Sequence, residues 1–219
     1  MRKHKGIIKK KLVYGVGIND ADYKVQVAGW KCPFYERWKG MLRRAYSAKL
    51  LKTCPTYLGT TVDPGWHRLS LFTEWMEQQD YRGMSLDKDI LFVGNKHYSP
   101  ETCVFVPQRI NSILLDSGSI RGVHPLGVCY RENIKHKPYY SSLRDVERSQ
   151  MCLGYHETPE KAHKAWQLAK AVVIEKAVQW WAQDVEVKHT FNTRAAAALL
   201  ARAWVLRLDH HESVITEIL

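Results

Sequence analysis

The stretch from Ser85 to Leu115 constrains the fold more than any other part of the chain. It opens with a strand-like run, Leu86-Asp87-Lys88-Asp89-Ile90-Leu91-Phe92-Val93. A turn at Gly94-Asn95-Lys96 follows, then a second run, Cys103-Val104-Phe105-Val106, and a helix from Gln108 to Leu115. Pro107 fits the first helical position, where a missing N–H is harmless and its fixed φ is already helical; Asp116-Ser117-Gly118 closes the helix. The order strand, loop, strand, helix can bring Asp87, at the first strand, close to Asn111, on the helix. A carboxylate and an amide oxygen are hard ligands, suited to a magnesium-type ion that keeps waters and accepts a phosphate oxygen.

The rest of the chain divides by punctuation and by changes of pattern. Residues 1–30 read as a basic arm and an extended lead-in, with turn residues at Gly15, Gly17 and Asn19-Asp20. Residues 31–118 form a first domain. It begins with a helix in which Phe34, Trp38, Met41, Leu42 and Ala45 recur at helical spacing and make a core stripe. Arg37, Arg43 and Arg44 fall on or beside the opposite face, which is either a solvated polar face or one that meets DNA. Trp66, Leu69, Leu71, Phe72, Trp75 and Met76 supply a second apolar cluster.

Residues 119–181 hold three short strand candidates, Leu126–Arg131, Tyr139–Arg144 and Gln150–Tyr155, and a helix with clear start signals. Thr158 can cap it, Pro159 fits its first turn, Glu160 complements its dipole, and Ala162, Ala165, Trp166, Ala169, Val172 and Val173 keep one face apolar. Residues 182–219 carry a further helix from about Thr193, placed either on the preceding helix or in a dimer contact. The fold class expected is α+β: a ββα-type domain, then a three-stranded antiparallel sheet with a helix, then a C-terminal helix.

Lys and Arg exceed Asp and Glu by 33 to 22. The surplus is local, because residues 1–12 hold six basic and no acidic side chains, among them Lys9, Lys10 and Lys11, and residues 31–52 hold seven basic against Glu36. A positive field concentrated in this way suits a polyanion, whose condensed counterions are released as phosphates are neutralised. Nucleic acid is therefore the leading partner. No run of about 20 apolar residues is present to span a membrane, and the basic N-terminus lacks an apolar signal core, so the expected location is the cytoplasm. Five widely spaced cysteines, with no C-x-x-C pair, predict neither zinc nor a disulfide framework.

The run from Leu86 to Asn111, with Gly94-Asn95-Lys96-His97-Tyr98-Ser99-Pro100-Glu101-Thr102-Cys103 at its centre, resembles the phage-borne HNH homing-endonuclease-like proteins. Tyr35, Trp38, Met41 to Tyr46, and Trp66, Phe72, Trp75 and Met76 belong to the same resemblance, which covers about residues 13–116. It implies a ββα-metal fold with one divalent ion, Mg²⁺ or Mn²⁺, held between Asp87 and Asn111. It further implies a water-activating His beside the Asp and a central Asn that braces the loop. Here the first of those positions holds Lys88 and the second Thr102. An ammonium of ordinary pKa accepts no proton at neutral pH, so Asp89 and His97 stand as local replacements for the base, and Lys88 as a phosphate clamp.

The segment from about 121 to 177 resembles the plant ethylene-response-factor DNA-binding domain. The resemblance rests on Gly127-Val128-Cys129-Tyr130-Arg131, on Tyr139 to Arg144, on Leu153-Gly154-Tyr155 with Thr158-Pro159-Glu160-Lys161-Ala162, and on Ala165-Trp166. It implies a sheet laid in the major groove, with Arg131, Tyr139 and Arg144 in reading positions; Cys129, Tyr139 and Ser142 depart from the family residues. Arg148 has no counterpart there and is either a phosphate contact or a plain surface charge.

Together these readings and resemblances lead us to expect a phage-type, HNH-like DNA endonuclease, nicking or homing-type, acting on double-stranded DNA in the cytoplasm of a bacterial host. A homodimer and a host protein partner both stay open. The alternatives are a catalytically inactive DNA-binding or inhibitory protein on the nuclease scaffold, and a protein-interaction module.

Overall fold

The computed structural model describes residues 11–114, 123–183 and 191–218. The architecture is mixed α and β, with small sheets and two long C-terminal helices. Two compact units are present: residues 1–82 with 86–105, and residues 83–85 with 106–219. Lys9 and Lys10 lie outside the described residues, as do Asp116, Ser117 and Gly118. Among the described residues no helix is long and apolar enough to cross a membrane.

In the first unit the lead-in is folded, not extended. Val13 and Gly17 exchange backbone hydrogen bonds of 2.8 Å, and Ile18 bridges to the chain at Arg68. Gly17 is required there, because a Cβ would stand 2.4 Å from Leu42 Cδ1 and 2.8 Å from Trp38 Cη2. After a two-residue hairpin, β1 (Gln26–Val27) with β2 (Trp30–Lys31), helix α1 (Pro33–Tyr46) starts on Pro33. Its stripe Trp38, Met41, Leu42 and Ala45 is buried, and Trp38 Nε1 donates to the Trp66 carbonyl at 2.7 Å.

Helix α2 (Ala48–Thr53) follows, capped by Ser47. Strand β3 (Thr61–Val62) leads to a 3₁₀ turn over Pro64–His67 and then to α3 (Leu69–Glu77). Asp20 reaches from the lead-in to the start of α3. Its carboxylate accepts from Ser70 N (2.9 Å) and Ser70 Oγ (2.7 Å), and pairs with Arg68 (2.9 Å). Trp66, Phe72, Trp75 and Phe105 form the aromatic centre, with ring centroids 4.6 to 5.9 Å apart in successive contacts. Leu71, expected in this cluster, is exposed instead.

The segment that constrained the fold is broken into more pieces than its sequence suggests. Strand β4 (Met84–Asp87) stops at Asp87, whose Oδ1 accepts from the backbone N–H of Asp89 and of Ile90, both at 2.8 Å. That side-chain turn competes with the ladder and ends the strand, so Ile90–Val93 are not extended. Strand β5 (His97–Tyr98) runs parallel to β3, and β6 (Val104–Pro107) pairs with β4. Helix α4 (Gln108–Ile113) follows Pro107 directly.

Helix α4 belongs to the second unit, and the expected boundary after residue 118 does not coincide with the division of the chain. The reason is local. Lys170 donates to the Ile113 carbonyl, Arg109 Nε donates to the Val146 carbonyl at 2.6 Å, and the Arg109 guanidinium stacks over Trp180. The sheet of this unit, β7 (Val128–Tyr130), β8 (Tyr139–Arg144) and β9 (Gln150–His156), is antiparallel in the order β7-β8-β9, with a bulge at Ser141/Ser142. Helix α5 (Pro159–Gln183) packs on it through Ala162, Trp166 and Ala171; Thr158 Oγ1 accepts from Lys161 N, as its sequence predicts. Helix α6 (Thr193–Ile218) is capped by Asn192. It docks on α5 with Ala195, Ala196, Leu199 and Ala203 buried and Arg207 paired with Glu175 at 2.8 Å.

Candidate metal centre and nucleic-acid interface

The loop between β4 and β5 is built around Asn95, a residue that its sequence reads only as part of a turn. Asn95 Nδ2 donates to the carbonyls of Lys88 and His97, each at 2.6 Å, and Oδ1 accepts from His97 N at 3.1 Å. Thr102 Oγ1 adds a 2.7 Å bond to the same His97 carbonyl and accepts from Ser99 N. The bracing expected at position 102 is therefore shared, with Asn95 making the larger part of it. The signal available was an Asn preceded by a glycine in the left-handed region (Gly94, φ 76), since such a turn leaves the following amide to bond the backbone.

This brace fixes Asp87, Lys88 and Asp89. Asp87 is half-buried and its carboxyl is pushed up to about 6, first by burial and then by the neighbouring charge of Asp89, against the lowering effect of its two backbone hydrogen bonds. Two neighbouring carboxylates repel, and a hard dication bound by them would turn that repulsion into attraction, although the Asp89 side chain is 41 % exposed and already paired with Lys88. Such an ion would meet two protein carboxylates here; among the described residues no group of three or more His, Cys, Asp or Glu gathers. Mg²⁺ tolerates this, because it keeps several waters and needs few protein ligands.

Asn111, the expected helix ligand, sits on α4 in the second unit. Its side chain is half-buried, and among the described residues no hydrogen bond occupies its carboxamide. Asp87 belongs to the first unit.

Lys88 does not face outward. The residue is 8 % exposed, and Nζ donates to Asp89 Oδ2 (2.9 Å) and to the Asn95 carbonyl (2.8 Å), over the ring of Tyr98. It is a strut of the loop, which removes it from the role of phosphate clamp. His97 is half-buried with Nδ1 on Thr61 Oγ1 at 2.8 Å; among the described residues it makes no hydrogen bond or ion pair with Asp87. Cys103 lies close by, but burial pushes its thiol up to about 12, so it supplies no nucleophile.

The basic residues of α1 are distributed unequally. Arg44 turns inward, its Nε on the Tyr98 hydroxyl at 2.7 Å. Arg37 is half-buried, and burial lowers its affinity for the proton. Arg43 is exposed, as is Lys11 in the lead-in. Of the three α1 arginines expected beside DNA, Arg43 alone is exposed, and Arg37 and Arg44 are half-buried.

In the second unit, strand alternation sorts the sheet into two faces. Ser141 and Leu143 are buried on the side covered by α5, and Tyr139 shares their parity, its ring against Tyr130 and His124. Tyr140, Ser142 and Arg144 have the opposite parity. The Arg131 guanidinium lies 5.4 Å over the Tyr140 ring, and Tyr140 packs on Tyr155 at 5.1 Å. Arg131 and Arg144 are exposed, and the aromatic between them on that face is Tyr140, not Tyr139. Arg148 is exposed on the β8–β9 turn. Comparison of the chain with protein-family models, curated proteins and solved structures returned no match.

Proposed function

We propose that the chain is an HNH-like endonuclease that grips duplex DNA and hydrolyses a phosphodiester with one divalent ion, Mg²⁺ or Mn²⁺. The observation that carries this reading is the Asn95-braced loop, which holds Asp87 and Asp89 as a repelling carboxylate pair. A bound dication would polarise the scissile phosphate and lower the pKa of a water. Asp87 would hold the ion; Asn111, in the second unit, is the other residue expected as a ligand. Asn95 and Thr102 keep the loop from relaxing, and Asp89 and His97 are the local candidates to take a proton from water. The sheet face with Arg131, Tyr140 and Arg144, together with Arg43 and Lys11, would contact DNA backbone and bases, because guanidinium forks match phosphate oxygens and guanine edges.

The test is plasmid nicking with Mg²⁺ or Mn²⁺, comparing the native chain with Asp87→Ala and Asn111→Ala. Metal-dependent relaxation lost in both variants supports the reading; relaxation that survives both overturns it. One observation favours a second reading, a DNA-binding protein without turnover: the position expected to hold the base is Lys88, locked onto Asp89 and the Asn95 carbonyl. Salt-sensitive duplex binding with no nicking in either metal would establish that second function.

A further inference from the structure

The Asp145–Ser149 turn joins β8 to β9 and is held by its own backbone. Asp145 N donates to the Ser149 carbonyl at 3.0 Å, Arg148 N donates to the Asp145 carbonyl at 3.1 Å, and Asp145 Oδ1 accepts from the N–H groups of Glu147 and Ser149. Within this turn Arg148 has a φ of 68°, a left-handed backbone that Gly or Asn adopts far more readily than Arg. Strain of this kind persists where the side chain is put to use.

Beside the turn is an open recess of about 400 Å³ lined by Arg109, Val146, Glu147 and Arg148. Arg109 is fixed on two sides, by its Nε bond to the Val146 carbonyl and by its stacking 4.6 Å over the Trp180 ring. Its terminal nitrogens are left to other partners. Among the described residues neither Arg109 nor Arg148 forms an ion pair, and of the two acids in the turn Asp145 bonds backbone amides while Glu147 shares the recess. Two guanidinium groups against one carboxylate around the recess leave a net positive seat for an anion with several oxygens. Glu147 is the opposing charge.

We propose that this recess binds a backbone phosphate of duplex DNA, with Arg109 and Arg148 as its ligands. The inference rests on the DNA-binding reading and adds to it a phosphate contact outside both the sheet face and the metal loop.

Binding of a fluorescein-labelled duplex by the full chain is measured by anisotropy at 50, 100 and 200 mM salt, with melting curves of each protein. Arg148→Gly removes one phosphate contact, so the slope of log affinity against log salt becomes shallower by about 0.9. Across that fourfold salt range the native chain then loses roughly 3-fold more affinity than the variant. Arg148→Gly also relieves the left-handed strain, so its melting temperature stays level or rises, and weaker binding cannot be blamed on unfolding. Glu147→Gln tightens binding.

An unchanged salt slope in Arg148→Gly, with the native chain binding normally, overturns the seat and leaves the DNA reading standing. A native chain that fails to bind duplex at 50 mM salt removes both. Inorganic phosphate that raises the melting temperature of the native chain but not of Arg148→Gly, with duplex binding equal in the two, would assign the recess to a free phosphate and overturn the proposal.

Discussion

Replacing Asn95 tests whether one amide side chain holds the candidate site together. Asn95→Ala removes two donations, to the Lys88 and His97 carbonyls at 2.6 Å, and one acceptance, from His97 N at 3.1 Å. The His97 carbonyl keeps its bond from Thr102, whereas the Lys88 carbonyl and the His97 N–H lose a partner in a part-buried loop. At about 1 kcal/mol net for each bond the loss is about 3 kcal/mol, or roughly 6–12 °C in melting temperature for a chain of this size. Asn95→Asp isolates the donations, because it retains an acceptor for His97 N while turning a carboxylate towards two carbonyls; about 2 kcal/mol should be lost. Urea unfolding followed by tryptophan fluorescence reads both, since Trp66 and Trp75 sit in the first unit with the loop. Equal stability of Asn95→Asp and the native chain would show that the two carbonyl contacts contribute nothing and that the loop is held by other means.

Gly127→Ala should destabilise by about 3 kcal/mol, combining a left-handed φ of 77° with a Cβ only 1.9 Å from Trp166 Cδ1. Gly59→Ala has a similar φ of 76° and nothing within 4 Å, so denaturant unfolding should show a loss of about 1 kcal/mol there; equal losses in the two would refute the packing argument. Asp20 is held below the usual carboxylate range: burial raises its pKa, but hydrogen bonds from Ser70 and Arg68 outweigh that. Its contribution is therefore present above the unfolded value near 4 and lost as pH falls through the folded one, so Asp20→Asn should cost about 1 kcal/mol at pH 7. That difference should shrink in unfolding curves taken below pH 4, and a constant gap would show that the charge is not involved. Lys88→Met should weaken the loop yet tighten Mn²⁺ binding in titration calorimetry, because a positive charge 2.9 Å from Asp89 Oδ2 opposes a second cation. Weaker Mn²⁺ binding would count against a metal at this carboxylate pair.

Periodicity and punctuation were informative where a single mechanism acts alone. The core stripe of α1 follows from apolar residues spaced at a helical period, and the start of α5 from Thr158, Pro159 and Glu160 acting on one helix end. Strand β8 comes out at its expected bounds because turns flank it on both sides. Expectation and structure part where two local preferences compete. Leu86–Val93 has the composition of one strand, but the Asp87 side chain offers the next two amides a nearer partner than a neighbouring strand does. The lead-in looked extended because its docking depends on Gly17 fitting against Leu42 and Trp38, a contact across many residues that no local pattern encodes.

The candidate site shows the same division in its chemistry. Asp87 and Asp89 are legible in the sequence as carboxylates, but what makes them a site is the distribution of the surrounding hydrogen bonds. Lys88, between them in sequence, carries a charge of the right sign for phosphate, and the loop uses it inward, on Asp89 and on the Asn95 carbonyl. A buried lysine needs such partners, because desolvating an unpaired ammonium costs more than any exposed contact returns. The same reasoning explains Arg44, drawn to the Tyr98 hydroxyl and ring, whereas Arg43, Arg131, Arg144 and Arg148, the cations proposed to meet phosphate, stay exposed. Charge count alone cannot separate these two groups of cations. The separating property is whether a buried acceptor lies within reach of the side chain, and that is fixed only when distant segments such as β5 and α1 come together.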